Sequence, residues 1–426
     1  MNVYPPKTAR RQPLSSAFYV VLAVQFISTL ADNAFLILAI ARVMELAEAD
    51  WRVPALKIGF TLFYVVLAPL AGPVSDSFRK GRVMLVANIF KVIAMVLLLG
   101  GLDPLLAVAV AGFGSAMYAP AKYGLMTELL PADDLVRANG FFESATVCAV
   151  ILGTVLGGLL ISPIMPRWDW PTSGGLIDTA PTHLVAGMVA LLALNIVATA
   201  MCFRVADSGA RYDRHSVHPI ALLRKFWHGN CLLWRDRLGG ISMAVTSLLW
   251  GVGSTLQLIV LRWAHEAIGL TLEKAAYLQG ATAIGVVCGA ALASRYVSLA
   301  FTVRLLPLGL VIGFLIPVLL LVTNVVQAAL LLVLVGAVAG FFVVPMNALL
   351  QHRGYVLLTA GRSIAVQGFN ENAGMLIMLA VYAGAIGLQV PLHTLILGFG
   401  AMVVIGMILI TFALASTKLP AQTVLP

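Results

Sequence analysis

The chain reads as long apolar runs separated by short polar stretches. Twelve of these runs are long enough to span a membrane, near residues 17–43, 56–75, 83–102, 105–127, 139–163, 182–203, 239–262, 275–294, 305–322, 327–350, 363–386 and 392–414. A spanning helix needs roughly 20 mostly apolar residues. None of the runs shows the strict alternation of a half-buried strand. The pattern predicts an all-α polytopic membrane protein with twelve transmembrane helices. A polar stretch at 204–238 divides them six and six. The expected organisation is a short tail (1–16), a six-helix bundle (17–203), a linker (204–238), and a second six-helix bundle with a short tail (239–426).

An internal repeat supports two pseudo-symmetric bundles. Asn-Gly-Phe-Phe-Glu-Ser-Ala at 139–145 returns as Gln-Gly-Phe-Asn-Glu-Asn-Ala at 367–373. Pro120-Ala121-Lys122 and Pro345-Met346-Asn347 precede the two copies in the same order. Each copy places a carboxylate, Glu143 or Glu371, in an apolar run. Parallel repeats with polar residues inside hydrophobic helices are the plan of transporters that bind substrate between their halves.

Composition agrees with that class. Charged residues make up only 11% of the chain, too few to cover the surface of a soluble protein of this size. The net charge of +9 could point to nucleic acid, but its distribution argues against that. Lys7, Arg10, Arg11, Arg79, Lys80, Arg82 and a cluster within 204–238 fall on one side of the predicted topology, with few basic residues opposite. That bias places the linker and both termini in the cytoplasm. The first helix is too long for a signal-peptide core and is expected to be retained. The linker is read as a tether whose surface helices lie on an anionic leaflet. Cys148, Cys202, Cys231 and Cys288 have no metal or redox spacing and are expected to be inert. The linker residues His215, His218 and His228 likewise lack ligand spacing, so neither a cofactor nor a metal is expected.

Charged and amide side chains inside the spans are the site candidates, because lipid does not tolerate them unpaired. In the first span Gln25, Ser28, Thr29 and Asp32 share one helical face, with Asn33 beside them. Lys122 lies in Tyr118-Ala-Pro-Ala-Lys-Tyr-Gly124, where small neighbours favour a cavity-facing lysine over one that snorkels. Glu371 shares its face with Gln367 and Asn370. Glu143 is expected near the start of its helix, suited to a gate pairing with Arg79, Arg82, Arg137 or Arg362 as well as to substrate contact. Lys91 is read as a snorkelling or gate-pairing cation. Thr246, Trp250, Gly253 and Gln257 form a softer polar stripe, and Gly153-x-x-x-Gly157 reads as a close-packing pair.

The turn after the second span, Gly72-Pro-Val-Ser-Asp76-Ser-Phe-Arg79-Lys80-Gly81-Arg82, resembles the signature loop of the major facilitator superfamily, with the second glycine displaced to 81. That resemblance implies gating roles for Asp76, Arg79 and Arg82. The fifth span lacks the Gly-Pro doublet typical of proton-driven drug antiporters. Within the superfamily the chain is similar to the bacterial lysophospholipid transporters. The likeness rests on Gln25-Phe-Ile-Ser-Thr-Leu-Ala-Asp-Asn-Ala34, Val74–Met84, Tyr118–Gly124, Gly340–Gln351 and Ala365–Ala373. It implies flippase-like transfer of lysophospholipids, above all lysophosphatidylethanolamine, from the outer to the inner leaflet of a Gram-negative inner membrane. It also implies re-acylation there by an acyltransferase/acyl-carrier-protein synthetase. A phosphate, an ammonium and one acyl chain call for a cation, a carboxylate and an apolar wall, which Lys122, Asp32 and Glu371 could supply. A basic residue that can occur in helix 7 of that family is here Gln257, with Arg262 five residues on. A monomer is expected.

Two other classes compete. A proton-coupled drug or metabolite exporter would share the fold and the signature loop. A membrane acyltransferase would handle the same lipids, but no histidine is followed by aspartate in the H-x-x-x-x-D spacing of glycerolipid acyltransferases.

Overall fold

The computed structural model describes residues 14–46, 52–161, 182–212, 218–270 and 272–415. The basic tail with Lys7, Arg10 and Arg11, the linker residue His215 and the last residues of the chain lie outside them. The described residues form helices and connecting turns, with no strand among them. Among the described residues ten helices are long and apolar enough to cross a membrane, or up to twelve if each of two bent pairs counts as one span.

Before the linker come α1 (Ser16–Glu45), α2 (Arg52–Val66), α3 (Ala68–Ser77), α4 (Lys80–Leu99), α5 (Pro104–Leu129), α6 (Leu135–Leu160) and α7 (Thr182–Met201). The second predicted span is broken into α2 and α3, bent by 61°. Leu67 interrupts the helix and Pro69 restarts it in the first turn of α3, where its missing N–H costs nothing. The fifth span begins at Leu135, earlier than its apolar run, because the 3-10 turn Ala132–Asp134 leads straight into it. Gly153 and Gly157 let α6 lie against the α1 backbone at Leu30 and Ala34, the close approach their spacing predicted.

After the linker come α9 (Arg237–Ile268), α10 (Leu272–Tyr296), α11 (Pro307–Leu315), α12 (Val325–Leu357), α13 (Ala360–Gly387) and α14 (Leu392–Ala415). The ninth predicted span is irregular: 3-10 turns flank α11, with prolines at 307 and 317 and a 45° bend. Between the two groups lies α8 (Pro219–Arg235), packed on α3, α9 and α13.

The connections at 77–80, 130–135 and 357–360 lie at one end of the molecule with the linker residues 204–212, the linker end. There the two groups close on each other through α3 and α13, α5 and α13, and α6 with α10 and α12. A Cβ at Gly72 would lie 2.8 Å from the Arg362 Cα, so only glycine allows α3 and α13 to approach this closely. At the other end Ile58 and Leu62 of α2, and Ile377 and Val381 of α13, are exposed.

Candidate functional site

The polar residues inside the spans fall into three assemblies. The first lies between α1, α4 and α5. Lys91 is 2% exposed, and its Nζ pairs with the Asp32 carboxylate at 2.6 Å. The ammonium also donates to Ser28 Oγ at 2.9 Å, and Ser115 Oγ donates to Asp32 at 3.2 Å. Ser28 in turn donates to Asn88, whose amide reaches the Cys202 sulfur. Asp32 is thus paired with a lysine while its side chain stays partly exposed, and Lys91 is buried against it and does not snorkel. An isolated charge here would cost several kcal/mol, so each ion is kept by the other.

The second assembly surrounds Lys122, which is 7% exposed. Its Nζ donates to Gln25 Oε1 at 2.8 Å and sits 4.1 Å from the Tyr123 ring centroid and 5.8 Å from that of Tyr118. Gln25 is held by Thr29 and Thr146. No carboxylate lies within ion-pair distance of Lys122 among the described residues. The ammonium therefore rests on an amide oxygen and aromatic faces, with its charge unneutralised by contact. Asn33 bonds back to the Thr29 carbonyl of its own helix and joins none of this.

The third assembly is a cavity between the two helix groups. The first group contributes Tyr64, Ala119, Tyr123, Asn139, Phe142 and Glu143. The second contributes Trp250, Asn347, Gln351, Ile364, Gln367, Gly368, Glu371 and Asn372. Both copies of the repeated heptapeptide thus face one space. Gln367 donates to Glu371 at 2.8 Å and to Asn347 at 3.2 Å. Asn139 donates to Gln351 at 2.8 Å, joining the groups at the cavity edge. Glu143 lines the cavity and has no ion pair with Arg79, Arg82 or Arg362 among the described residues. It lies more than two turns inside α6, because that helix starts at Leu135. Lys122 and Glu143 are close enough to interact electrostatically across the Tyr123 wall.

Asn370 is next to Glu371 in sequence but faces away from the cavity. It donates to Asn230 of α8 at 2.8 Å and accepts from the Trp234 indole at 3.0 Å. Sequence reasoning missed Tyr64, Tyr123 and the cross-group pair Asn139–Gln351. Asn139 was visible as the repeat partner of Gln367, and Gln351 as the last residue of the Gly340–Gln351 motif, but nothing along the chain pairs the two.

At the linker end Asp76 crosses from α3 to cap α13. It accepts from the backbone N–H groups of Gly361 at 2.8 Å and Arg362 at 3.2 Å, and from the Thr359 hydroxyl. A carboxylate at a helix N-terminus satisfies orphan donors and meets the positive end of the dipole. Lys80 bridges Asp76 at 3.6 Å and Glu128 at 2.6 Å. Glu128 also accepts from Ser208 and Tyr212, which ties the first residues of the linker to α5. Arg79 pairs with Asp207 at 3.0 Å. The hydrogen bond from Arg211, with the Gly209 N–H, holds the Asp207 carboxyl down at about 2. Arg82 is exposed and has no ion pair among the described residues, so it does not share the lock formed by Asp76 and Arg79. Among the described residues no three His, Cys, Asp or Glu side chains gather as a metal site would need.

The Major Facilitator Superfamily profile matches residues 17–357. The chain belongs to that superfamily. Proteins named lysophospholipid transporter LplT, from Yersinia pestis (strain Pestoides F) and Yersinia pseudotuberculosis serotype O:3 (strain YPIII), are each 38% identical over 379 residues, covering 89% of both chains. Homology to these transporters therefore extends through nearly the whole molecule. Among solved structures, the E. coli fucose:proton symporter FucP superposes with a TM-score of 0.71 at 13% identity, over 94% of this chain and 98% of that one. A bacterial homologue of the iron transporter ferroportin, in an outward-facing state, gives 0.69 at 12% identity over 94% and 99%. The human organic anion transporter MFSD10 gives 0.65 at 15%, over 94% and 100%. At these identities the likeness speaks for the fold alone.

Proposed function

We propose that this protein is a lysophospholipid transporter of the bacterial inner membrane. It moves lysophosphatidylethanolamine and related lysolipids from the outer to the inner leaflet, where an acyltransferase/acyl-carrier-protein synthetase restores the second chain. The observation that carries this reading is the 38% identity to the Yersinia transporters across 89% of both chains. The site chemistry fits it. Lys122, unpaired by any carboxylate, is the phosphate partner. Glu143 and Glu371, facing one cavity from opposite helix groups, are the ammonium partners. Asp32, paired with Lys91, positions α1 and α4 instead of holding the head group.

The same reading gives two six-helix bundles, 17–203 and 239–415, joined by 204–238, in a monomer. If each bent pair is one span, the heptapeptide copies fall on the fifth and eleventh spans and the proline motifs on the fourth and tenth, as two six-helix repeats require. The basic residues gathered at the linker end place that end, and both termini, in the cytoplasm. The lock at Asp76 then closes the cytoplasmic side and leaves the cavity to the outside.

The test is a leaflet assay in proteoliposomes with fluorescent lysophosphatidylethanolamine, scored by what albumin can extract from the outer leaflet. The protein should speed removal from the extractable pool. A rate equal to that of empty liposomes would overturn the proposal. The paired glutamates would also suit a lipophilic cation, and efflux of such a cation in place of lysolipid uptake would return the exporter reading.

A further inference from the structure

The surface helix α8 carries a feature the transport cycle does not use. One face, with Leu222, Phe226, Gly229 and Leu233, is buried against the bundle. The adjoining strip is apolar and uncovered: Ile220 (72% exposed), Leu223, Trp227 (46%), Cys231 and Trp234 (42%) recur at helical spacing. The strip beyond it is basic, with Arg224, His228 and Arg235 all exposed, and α8 has no acidic residue.

Its depth is set by its neighbours. Phe226 and Trp227 pack edge-on against Phe369, with centroids 5.2 and 5.5 Å apart. Gly229 lies by Leu358 and Arg362, and Asn230 and Trp234 bond to Asn370. The helix therefore lies along the first turns of α13. At 1.5 Å per residue the 28 residues of α13 reach about 42 Å. That exceeds a hydrocarbon core of about 30 Å, so these turns run from the head-group layer into the outer hydrocarbon. Tryptophans beside an apolar strip with a basic margin, at that depth, suit an interfacial helix.

We infer that α8 binds the surface of an anionic phospholipid leaflet, with its apolar strip among the acyl chains and Arg224 and Arg235 on the head-group phosphates. The occupant is the bilayer itself, singled out by charge: a wholly basic margin meets a negatively charged surface, and the apolar strip continues the lipid-facing belt of the bundle. Because α8 grips α13 beside the cavity residues Gln367 and Glu371, seating it also steadies that helix. The inference is independent of what the cavity carries.

Cys231 lies in the middle of the apolar strip and gives the probe. In the full chain with Cys148, Cys202 and Cys288 replaced by alanine, a nitroxide on Cys231 is read for oxygen and nickel-chelate accessibility. The proteoliposomes are phosphatidylcholine alone or a mixture with phosphatidylglycerol. In the mixture the label should lie among the acyl chains. Arg224→Gln with Arg235→Gln should move it toward water, lowering the seated-to-unseated ratio about twenty- to thirtyfold, roughly fivefold per arginine. High salt should do the same to the parent chain, a control that needs no substitution. A label equally water-exposed in both bilayers overturns the inference and leaves the face to a protein partner. A label equally immersed in both, indifferent to salt and to the arginines, overturns its anionic selectivity.

Discussion

Asp32 and Lys91 show what a single pair of residues decides. In the sequence each is a charge in an apolar run, and Asp32 invites a ligand. In the structure they neutralise each other at 2.6 Å, with two serines completing the shell. Asp32→Asn should therefore act on stability first, leaving a buried ammonium unpaired at a cost of about 3–5 kcal/mol. Asp32→Asn with Lys91→Gln should recover much of that loss. Thermal unfolding in detergent, followed for both variants, checks this, and a fully stable Asp32→Asn protein would return the residue to the substrate pathway. Head-group selectivity moves instead to the glutamates. Glu143→Gln and Glu371→Gln should impair transfer of the ethanolamine lysolipid more than that of lysophosphatidylglycerol, which has no amine. A lost charge-assisted bond is worth about 1.5–3 kcal/mol, or roughly 10–150-fold in affinity. Lys122→Ala should suppress both substrates alike, since both carry phosphate, and Lys122→Arg should restore transfer only in part, because a wide planar fork replaces the compact ammonium that the buried site holds against Gln25. Parallel uptake assays of the two lysolipids separate these outcomes: a glutamate variant that slows both equally points to gating.

At the scale of elements, the spans were legible because a 20-residue apolar run has few alternatives in lipid. What lay across helices was not. Glu143 could be read as a gate residue or a substrate contact because its apolar run begins at 139; α6 begins at Leu135 and brings it to the cavity wall. Asn370 looked like a neighbour of Glu371, but a step of one residue turns about 100° around a helix, and it meets α8. The surface helix expected in the linker has an inner face that is visible only once α13 is beside it. The cap on α13 is likewise a tertiary fact: Asp76 was recognised by its loop, but its partners Thr359, Gly361 and Arg362 come from the far half of the chain. Asp76→Ala removes the acceptor of three donors and should weaken closure at the linker end. A cysteine at position 124, which the closed end covers, should then react faster with a soluble maleimide than in the parent background. Unchanged reactivity would show that close packing of α3 on α13, and not the cap, holds this end shut.

For the molecule as a whole, the repeat is the deepest signal the sequence carried, and its meaning is geometric. Two heptapeptides half a chain apart line one cavity, Asn139 reaches Gln351 across the divide, and both groups touch at the linker end while Ile58, Leu62, Ile377 and Val381 stand exposed at the other. A site enclosed between two groups that meet at one end delivers cargo to that side only if that end opens. The contact between α5 and α13 gives a direct test. A Cβ at Gly124 would lie 3.4 Å from the Ala360 Cβ, close to the separation a disulfide needs. Gly124→Cys with Ala360→Cys, in a chain whose own cysteines are replaced, should crosslink on mild oxidation. The crosslink should stop lysolipid transfer, and reduction should restore it, while each single variant transports under both conditions. Transfer that continues at the parent rate with the crosslink complete would mean that the lipid never passes through the linker end, and would move its route to the lipid-facing sides of the bundle.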